Sequence, residues 1–263
     1  MAQSRSGDLQ AHVAAVLGAH TVADVWRLFV ARMRRYRFDK LLYGATRYRT
    51  HGLLGDFDDL LVLSEGPQSY LDVYLGEGLY LESAANQWAS KNTGAISWLE
   101  LAQGMRPEDM TPGRLRLMQL NAEHGAIAGY TISLQDRSQL GAGTIGLSPE
   151  AGIFQPECDA IWAEHGEEIE MLANLMHLKI SSLPQTGQRR PLTSRQRESL
   201  EWAASGKSSQ DIAVIMELSV ATVEKHLRAA RDALNVTTTA HAVQKATSLN
   251  LLFVEGAGEG ASA

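Results

Sequence analysis

The sequence predicts an α+β amino-terminal half, with helices around a small, mostly antiparallel sheet, followed by an all-α carboxy-terminal domain of four short helices. Three observations carry this. The stretch Ser181 to Pro191, SSLPQTGQRRP, breaks helical periodicity with two prolines, a glycine and small polar residues, and reads as a linker. Ahead of it, apolar residues recur first at helical and then at strand spacing. Behind it, the start and stop signals of four helices follow one another with almost no slack.

Val22 to Tyr36 places Val22, Val25, Trp26, Phe29, Val30 and Met33 at helical spacing, with Arg32, Arg34 and Arg35 on the far face, where solvation is expected. Leu41 to Tyr48 and Leu60 to Leu63 are short, flanked by Gly and Asp, and read as strands. A helix follows at about Gln68 to Gly78, then another at Met110 to Glu123 with Leu115, Met118 and Leu117 inward. Gly129 to Leu134 and Gly143 to Leu147 form a hairpin around the turn QDRSQLGAG. A long helix from Cys158 to Ile180 closes this half, its apolar positions being Ile161, Trp162, Ile169, Leu172, Leu175 and Met176.

Composition narrows the function classes. With 44% hydrophobic and 21% charged residues, 263 residues suffice for two packed domains. No window approaches the roughly 18 apolar residues of a membrane span, and MAQSRSGDLQ lacks a leader pattern, so a cytoplasmic protein is expected. The single cysteine, Cys158, forms no internal disulfide and anchors no Cys-based metal cluster. Cys158 with His165 and Glu167 or Glu168 makes no convincing nucleophile set, since all fall on one surface helix; neither enzyme activity nor a cofactor is expected. Net charge is −6, yet Arg189 to Leu252 carries nine basic and six acidic residues, so the acidity belongs to the other segment. That split fits a small polyanion-binding module on an acidic body.

In the module, Thr193 caps a helix from Ser194 to Ser205 in a capping box with Gln196, and Gly206 supplies a left-handed stop. Ser208 caps the second helix, with Asp211 in its first turn and Ile212, Ala213, Ile215 and Met216 inward; Ser219 caps the third after a turn of only Glu217–Leu218. Val223, Leu227, Ala230 and Leu234 form one apolar stripe on that third helix. The opposite face then carries Ala221, Lys225, Arg228 and Asp232, with Thr222 and Glu224 on its shoulders, small at its start and cationic in its middle. Such a face lets the first turn approach base edges in a major groove while Lys and Arg reach guanines or phosphates. The candidate DNA-binding residues are Thr222, Glu224, Lys225 and Arg228, joined by Lys207 and Ser209 at the start of the second helix. The alternative is a solvated surface helix.

The run LTSRQRESLEWAASGKSSQDIAVIMELSVATVEKHLRAARDALNV resembles the four-helical DNA-binding domain of LuxR-type transcriptional regulators over about 60 residues. Its pieces are Leu192-Thr193 with Arg195 and Glu198, Gly206-Lys207, Asp211-Ile212-Ala213, Ser219-Val220 with Thr222-Val223, and His226-Leu227. The resemblance implies that the third helix enters the major groove of double-stranded promoter DNA. It further implies that the fourth, Thr238 to Leu249, offers a homodimer face including Val243 and Ala246. Glu198 is read as pairing with a neighbouring cation.

What drives the module depends on the amino-terminal half. A phosphoacceptor receiver is excluded, because Asp58 and Asp59 precede their strand and the half has two helices first and a hairpin late. Pro67 to Thr131 instead resembles, more faintly, the acyl-homoserine-lactone sensor domain of quorum-sensing LuxR-type regulators. Tyr74 stands at a tyrosine that bonds the acyl carbonyl, Trp98 at a tryptophan walling the lactone, and Gly129-Tyr130-Thr131 where a Gly-x-Thr strand begins. The same register puts Tyr70 at the usual lactone-binding tryptophan, Gly66 at a usual tyrosine, and Ser83-Ala84 at an Asp-Pro whose carboxylate accepts the ligand amide. A hydroxyl in place of that carboxylate weakens a bond worth about 1.5–3 kcal/mol, unless Glu82 swings in.

The ligand-binding candidates implied are Tyr70, Tyr74, Ser83, Trp98 and Thr131; packing in a core is the competing role for each aromatic. The expected organisation is a ligand-sensing and dimerising domain at 1–182, a linker at 183–190, a helix-turn-helix domain at 191–252 and a tail at 253–263. The expected partners are promoter DNA, a small molecule such as an acyl-homoserine lactone, a second copy of the chain and RNA polymerase, with no membrane. A LuxR-type regulator answering another ligand or none, and a sequestering module without specific DNA recognition, are the alternatives.

Overall fold

The computed structural model describes residues 2–46, 60–134, 142–183 and 191–253. Most of the linker, the hairpin turn at 135–141, residues 47–48 of the first predicted strand, Asp58, Asp59 and the tail beyond 253 lie outside the described residues. The chain divides into two compact units, Met1–Ser181 and Ser182–Ala263.

In the first unit, α1 (Ala2–Gly18) and α2 (Val22–Arg34) precede β1 (Phe38–Thr46) and β2 (Leu60–Glu65). Then come α3 (Gln68–Gly76), α4 (Leu79–Glu82), α5 (Ala84–Ala89), β3 (Gly94–Ser97), α6 (Trp98–Gln103) and α7 (Pro112–Glu123). The hairpin β4 (Tyr130–Leu134) and β5 (Ala142–Pro149) leads into α8 (Gln155–Ser182). The five strands form one antiparallel sheet in the order β2-β1-β5-β4-β3.

Strand alternation gives the two faces of this sheet different jobs. On one, the row Tyr43–Ile145–Ile132 is wholly buried, and the Tyr43 hydroxyl lies 2.9 Å from Nδ1 of His177 on α8 while its ring meets Trp26 of α2. On the other, the rows Leu42–Gly146–Thr131 and Gly44–Thr144–Ser133 present small or hydroxylated residues apart from Leu42. Leu42 packs there against Tyr74, Leu79, Leu117 and Leu120 from α3, α4 and α7. Large side chains on one face and small ones on the other leave the second layer of helices standing off from the sheet.

Four expectations about burial are corrected. Arg32 is buried: Nη2 donates to Glu168 Oε1 at 2.5 Å, Nε to the Tyr36 hydroxyl at 3.0 Å, and Nη1 to Asp8, tying α1, α2 and α8 together. A helical stripe counts apolar residues and cannot see that a carboxylate from a distant helix will meet a cation on its margin. On α7 the inward residues are Arg114, Leu117 and Leu120, whereas Leu115 and Met118 are half-exposed, because the buried stripe is rotated by one position. Ile215 is exposed in the second unit, and Ala246, expected on a partner face, is wholly buried in its own domain's core.

The second unit comprises α9 (Ser194–Ala204), α10 (Ser209–Ile215), α11 (Val220–Ala233) and α12 (Thr239–Ser248). Thr193 with Gln196 and Ser208 with Asp211 make capping boxes, and Ser219 caps α11. Gly206 at φ 80° ends α9, and Glu217 at φ 54° takes the left-handed turn between α10 and α11. Val223, Leu227, Ala230 and Leu234 are all buried, packed with Leu200, Ile212 and Met216.

Candidate functional site

Two sites emerge, one in each unit. In the first, the stand-off between sheet and helices is a cavity of about 480 Å³, and Tyr70, Tyr74, Ser83, Trp98 and Thr131 all line it. Tyr70 and Tyr74 lie four residues apart on α3, so they share a helical face; their rings stack at 5.6 Å and 18°. The Tyr70 hydroxyl donates to Asn121 Oδ1 on α7 at 2.9 Å, and Asn86 Nδ2 on α5 donates to the Tyr74 hydroxyl at 3.0 Å. Burial pushes the Tyr74 phenol up to about 12 and raises Tyr70 as well, so both keep their protons as donors across the physiological range.

Trp98 begins α6 and its indole N–H donates to Thr131 Oγ1 at 2.9 Å, leaving the threonine its own proton to give. The two meet because β4 passes directly behind α6 at Gly129. A Cβ there would stand 2.3 Å from the Leu147 carbonyl oxygen and 3.2 Å from the Trp98 ring, so only glycine fits. Ser83 is buried and caps α5, accepting from Asn86 N at 3.3 Å. Glu82 takes no part: its Oε2 accepts from Thr111 Oγ1 at 2.6 Å, its side chain lies against Gly113, and it is absent from the cavity wall.

Residues beyond the sequence expectation complete the wall, notably Asn86, Arg114, Asn121, His124 and Thr144. Asn86 was foreshadowed by the Ser83-x-x-Asn86 spacing of a helix start. Arg114 was hidden by its charge: it is buried because its guanidinium donates to Glu82 O, Asp109 O and Gln87 Oε1 at 3.2, 2.7 and 2.9 Å. Among the described residues no cluster of His, Cys, Asp and Glu fits a metal ion, and no helix is long and apolar enough to cross a membrane. Cys158 is buried, with its thiol pushed up to about 12 by that burial.

The second site is the outer face of α11. Ala221, Glu224, Lys225, Arg228 and Asp232 are exposed, and Thr222 is half-buried with its Oγ1 2.8 Å from Ser219 Oγ at the helix start. Among the described residues neither Lys225 nor Arg228 makes an ion pair, so both cations face solvent from one helix face. Ser209, at the start of α10, donates to the Glu224 carboxylate and bridges the two helices of the motif; Lys207 is exposed beside it. Arg231 turns the other way and donates to Thr239 Oγ1 at 2.9 Å, bracing α12. Glu198 accepts from Arg195 at 2.9 Å on α9, as a surface pair.

Known proteins align with this arrangement. Residues 21–180 match the family model described as "Autoinducer binding domain", and residues 190–246 match "Bacterial regulatory proteins, luxR family". The HTH-type quorum sensing-dependent transcriptional regulator RpaR of Rhodopseudomonas palustris is 28% identical over 221 residues, 82% of this chain and 87% of the relative. The transcriptional activator protein EsaR of Pantoea stewartii is 23% identical over 203 residues, 74% and 80% respectively. Among solved structures, Escherichia coli SdiA superposes with a TM-score of 0.58 at 15% identity, covering 94% of this chain and 99% of its own. SdiA in complex with octanoyl-rac-glycerol superposes at 0.55 and 14% identity, covering 95% and 97%. The amino-terminal match alone spans more than half of the sequence, and the chain belongs to the LuxR-type transcriptional regulators that carry an autoinducer binding domain ahead of a helix-turn-helix.

Proposed function

We propose that residues 1–182 take up a small amphiphile of the acyl-homoserine-lactone kind and dimerise, that 183–190 link, and that residues 191–252 lay α11 in the major groove of a promoter. The observation that carries this reading is convergence: five residues picked from sequence register, on α3, α6, β4 and the α4–α5 junction, line one apolar cavity with a few polar handles. Tyr74 and Thr131 would donate to ligand oxygens, Trp98 would wall the head group, and Tyr70 would act through Asn121. Lys225 and Arg228 would meet guanines or phosphates, Thr222 and Glu224 would face base edges, and Lys207 with Ser209 would steady the backbone. In this reading ligand binding shifts a population of sensor conformations and so fixes the spacing of two recognition helices in a homodimer. The chain works by binding and not by turnover, in the cytoplasm. RNA polymerase is a further partner, a reading supported by the description of EsaR as an activator.

A second reading, that the ligand is not a lactone, draws on Ser83-Ala84 and on Glu82. The position of the amide-accepting carboxylate holds a hydroxyl already used as a cap, and the neighbouring carboxylate is engaged elsewhere. SdiA with octanoyl-rac-glycerol shows the same fold around an amphiphile without a lactone. Mass spectrometry of small molecules retained by the purified chain separates the two readings: a lactone supports the first, another acylated amphiphile the second, and retention of nothing by protein that binds promoter DNA fully speaks against both. Mobility-shift titration at graded salt tests the DNA half. A specific binder keeps its sequence discrimination as nonspecific affinity falls, and loss of discrimination would refute it.

A further inference from the structure

On the cavity face of β4 and β5 every hydroxyl but one is engaged. Thr131 accepts from Trp98, Ser133 donates to Ala89 O at 2.8 Å, and Ser148 donates to Ala128 O at 2.9 Å. Thr144 is the exception: it lines the cavity, is only 8% exposed, and its Oγ1 is buried with no hydrogen-bond partner among the described residues. Valine would fill the same volume without leaving a polar atom unsatisfied, so a threonine here costs stability in the empty pocket. Its cross-strand neighbour on this face is Gly44, where an added Cβ would meet nothing within 4 Å, so space is open beside it. Threonine carries hydroxyl and methyl on one Cβ, and a single staggered step of χ1 turns the hydroxyl into the direction the methyl held.

Thr131 pairs with Gly146, two residues along β5 from Thr144, a diagonal of about 7–8 Å on one sheet face. The wall thus offers two separated polar stations with Gly146 between them. We infer that the cavity takes an amphiphile whose chain bears a hydroxyl or carbonyl oxygen about 7–8 Å from the portion lying against Trp98 and Thr131, and that Thr144 binds that oxygen. The inference rests on the reading of this cavity as the ligand site, and it names the ligand's chain chemistry.

The test uses the full chain and six probes: hexanoyl-, octanoyl- and decanoyl-homoserine lactone and their terminal-hydroxyl counterparts, titrated by calorimetry. One hydroxylated compound of the series is expected to bind about three- to tenfold more tightly than its plain parent, the effect of one added neutral hydrogen bond. Thr144→Val should erase that preference while unfolding no earlier than the parent protein; Thr144→Ser should restore it. Plain chains binding as tightly as hydroxylated ones, or a preference surviving in Thr144→Val, overturns the inference and leaves the sensor reading standing. Failure of all six to bind overturns the inference together with the lactone reading of the cavity.

Discussion

Replacing Arg32 by methionine keeps an unbranched stem on α2 and deletes the charge that joins three helices. The Arg32 side chain is 8% exposed and Glu168 32%, so the pair lies between the exposed regime, worth about 0–1 kcal/mol, and the buried one, where losing a partner costs about 3–5 kcal/mol. Glu168 retains the Tyr36 hydroxyl, which donates to Oε1 at 2.5 Å, so the stranded carboxylate is partly satisfied. The expected cost of Arg32→Met is therefore about 1–3 kcal/mol at pH 7. Burial alone would raise the Glu168 carboxyl, but hydrogen bonds from Tyr36 and Arg32 outweigh it and hold the group below its ordinary 4.5.

A depressed carboxyl binds more protons unfolded than folded, so its stabilisation is present above pH 4.5 and is lost as pH falls through the lower folded value. His12, lowered from 6.5 by burial and then by the charge of Arg32, has the same sign and begins to penalise the fold below that pH. Urea unfolding of the full chain, followed by tryptophan fluorescence at pH 7 and pH 4, should show a gap between parent and variant that narrows in acid. A variant within about 0.5 kcal/mol of the parent at pH 7, the size of an ordinary surface substitution, or a gap of constant width, would refute the argument.

Arg228→Ala should cost about 1–3 kcal/mol of specific DNA binding in mobility-shift titrations if the guanidinium reads a base, whereas an equal loss on every sequence would assign it to phosphate. Ser83→Asp returns a carboxylate to the α5 cap and should tighten octanoyl-homoserine lactone binding about tenfold by calorimetry; no change would show that the ligand bypasses this position. Gly129→Ala forces β4 and β5 apart where a Cβ would lie 2.3 Å from the Leu147 carbonyl, and should cost about 1–3 kcal/mol in chemical denaturation; a neutral result would contradict the close approach. Cys158, buried with its thiol near 12, should react with a disulfide reagent at pH 8 only as fast as the protein opens, and rapid labelling would contradict its burial.

The helix-turn-helix unit was legible because its information is local. Thr193, Ser208, Ser219 and Gly206 announce helix ends by their own chemistry, and the stripe from Val223 to Leu234 needs only a helical period to be placed. Ala246 misled because a small residue on a short helix fits an inner and an outer face equally well, and only the packed partners decide. In the other unit the aromatics and Trp98 could be placed by register, but β3, four residues long, was too short to carry a period. Arg32 and Arg114 were missed for a shared reason: their burial is set by acceptors far away in sequence, Glu168 and Glu82 O, and patterns of apolar residues cannot see such acceptors. Thr144 was invisible because a lone threonine in a strand looks like any other until its neighbours are counted.

The sheet's division into a face of Tyr43, Ile145 and Ile132 and a face of Gly44, Thr144 and Gly146 separates two kinds of mutation. A methyl added at Gly44 meets open space, and one at Gly146 comes no nearer than 3.6 Å to the Trp98 ring, so either change reshapes the chamber while the opposite side goes unaltered. Descendants of this chain can drift toward new chemical signals by single steps without renegotiating the scaffold that carries the message onward.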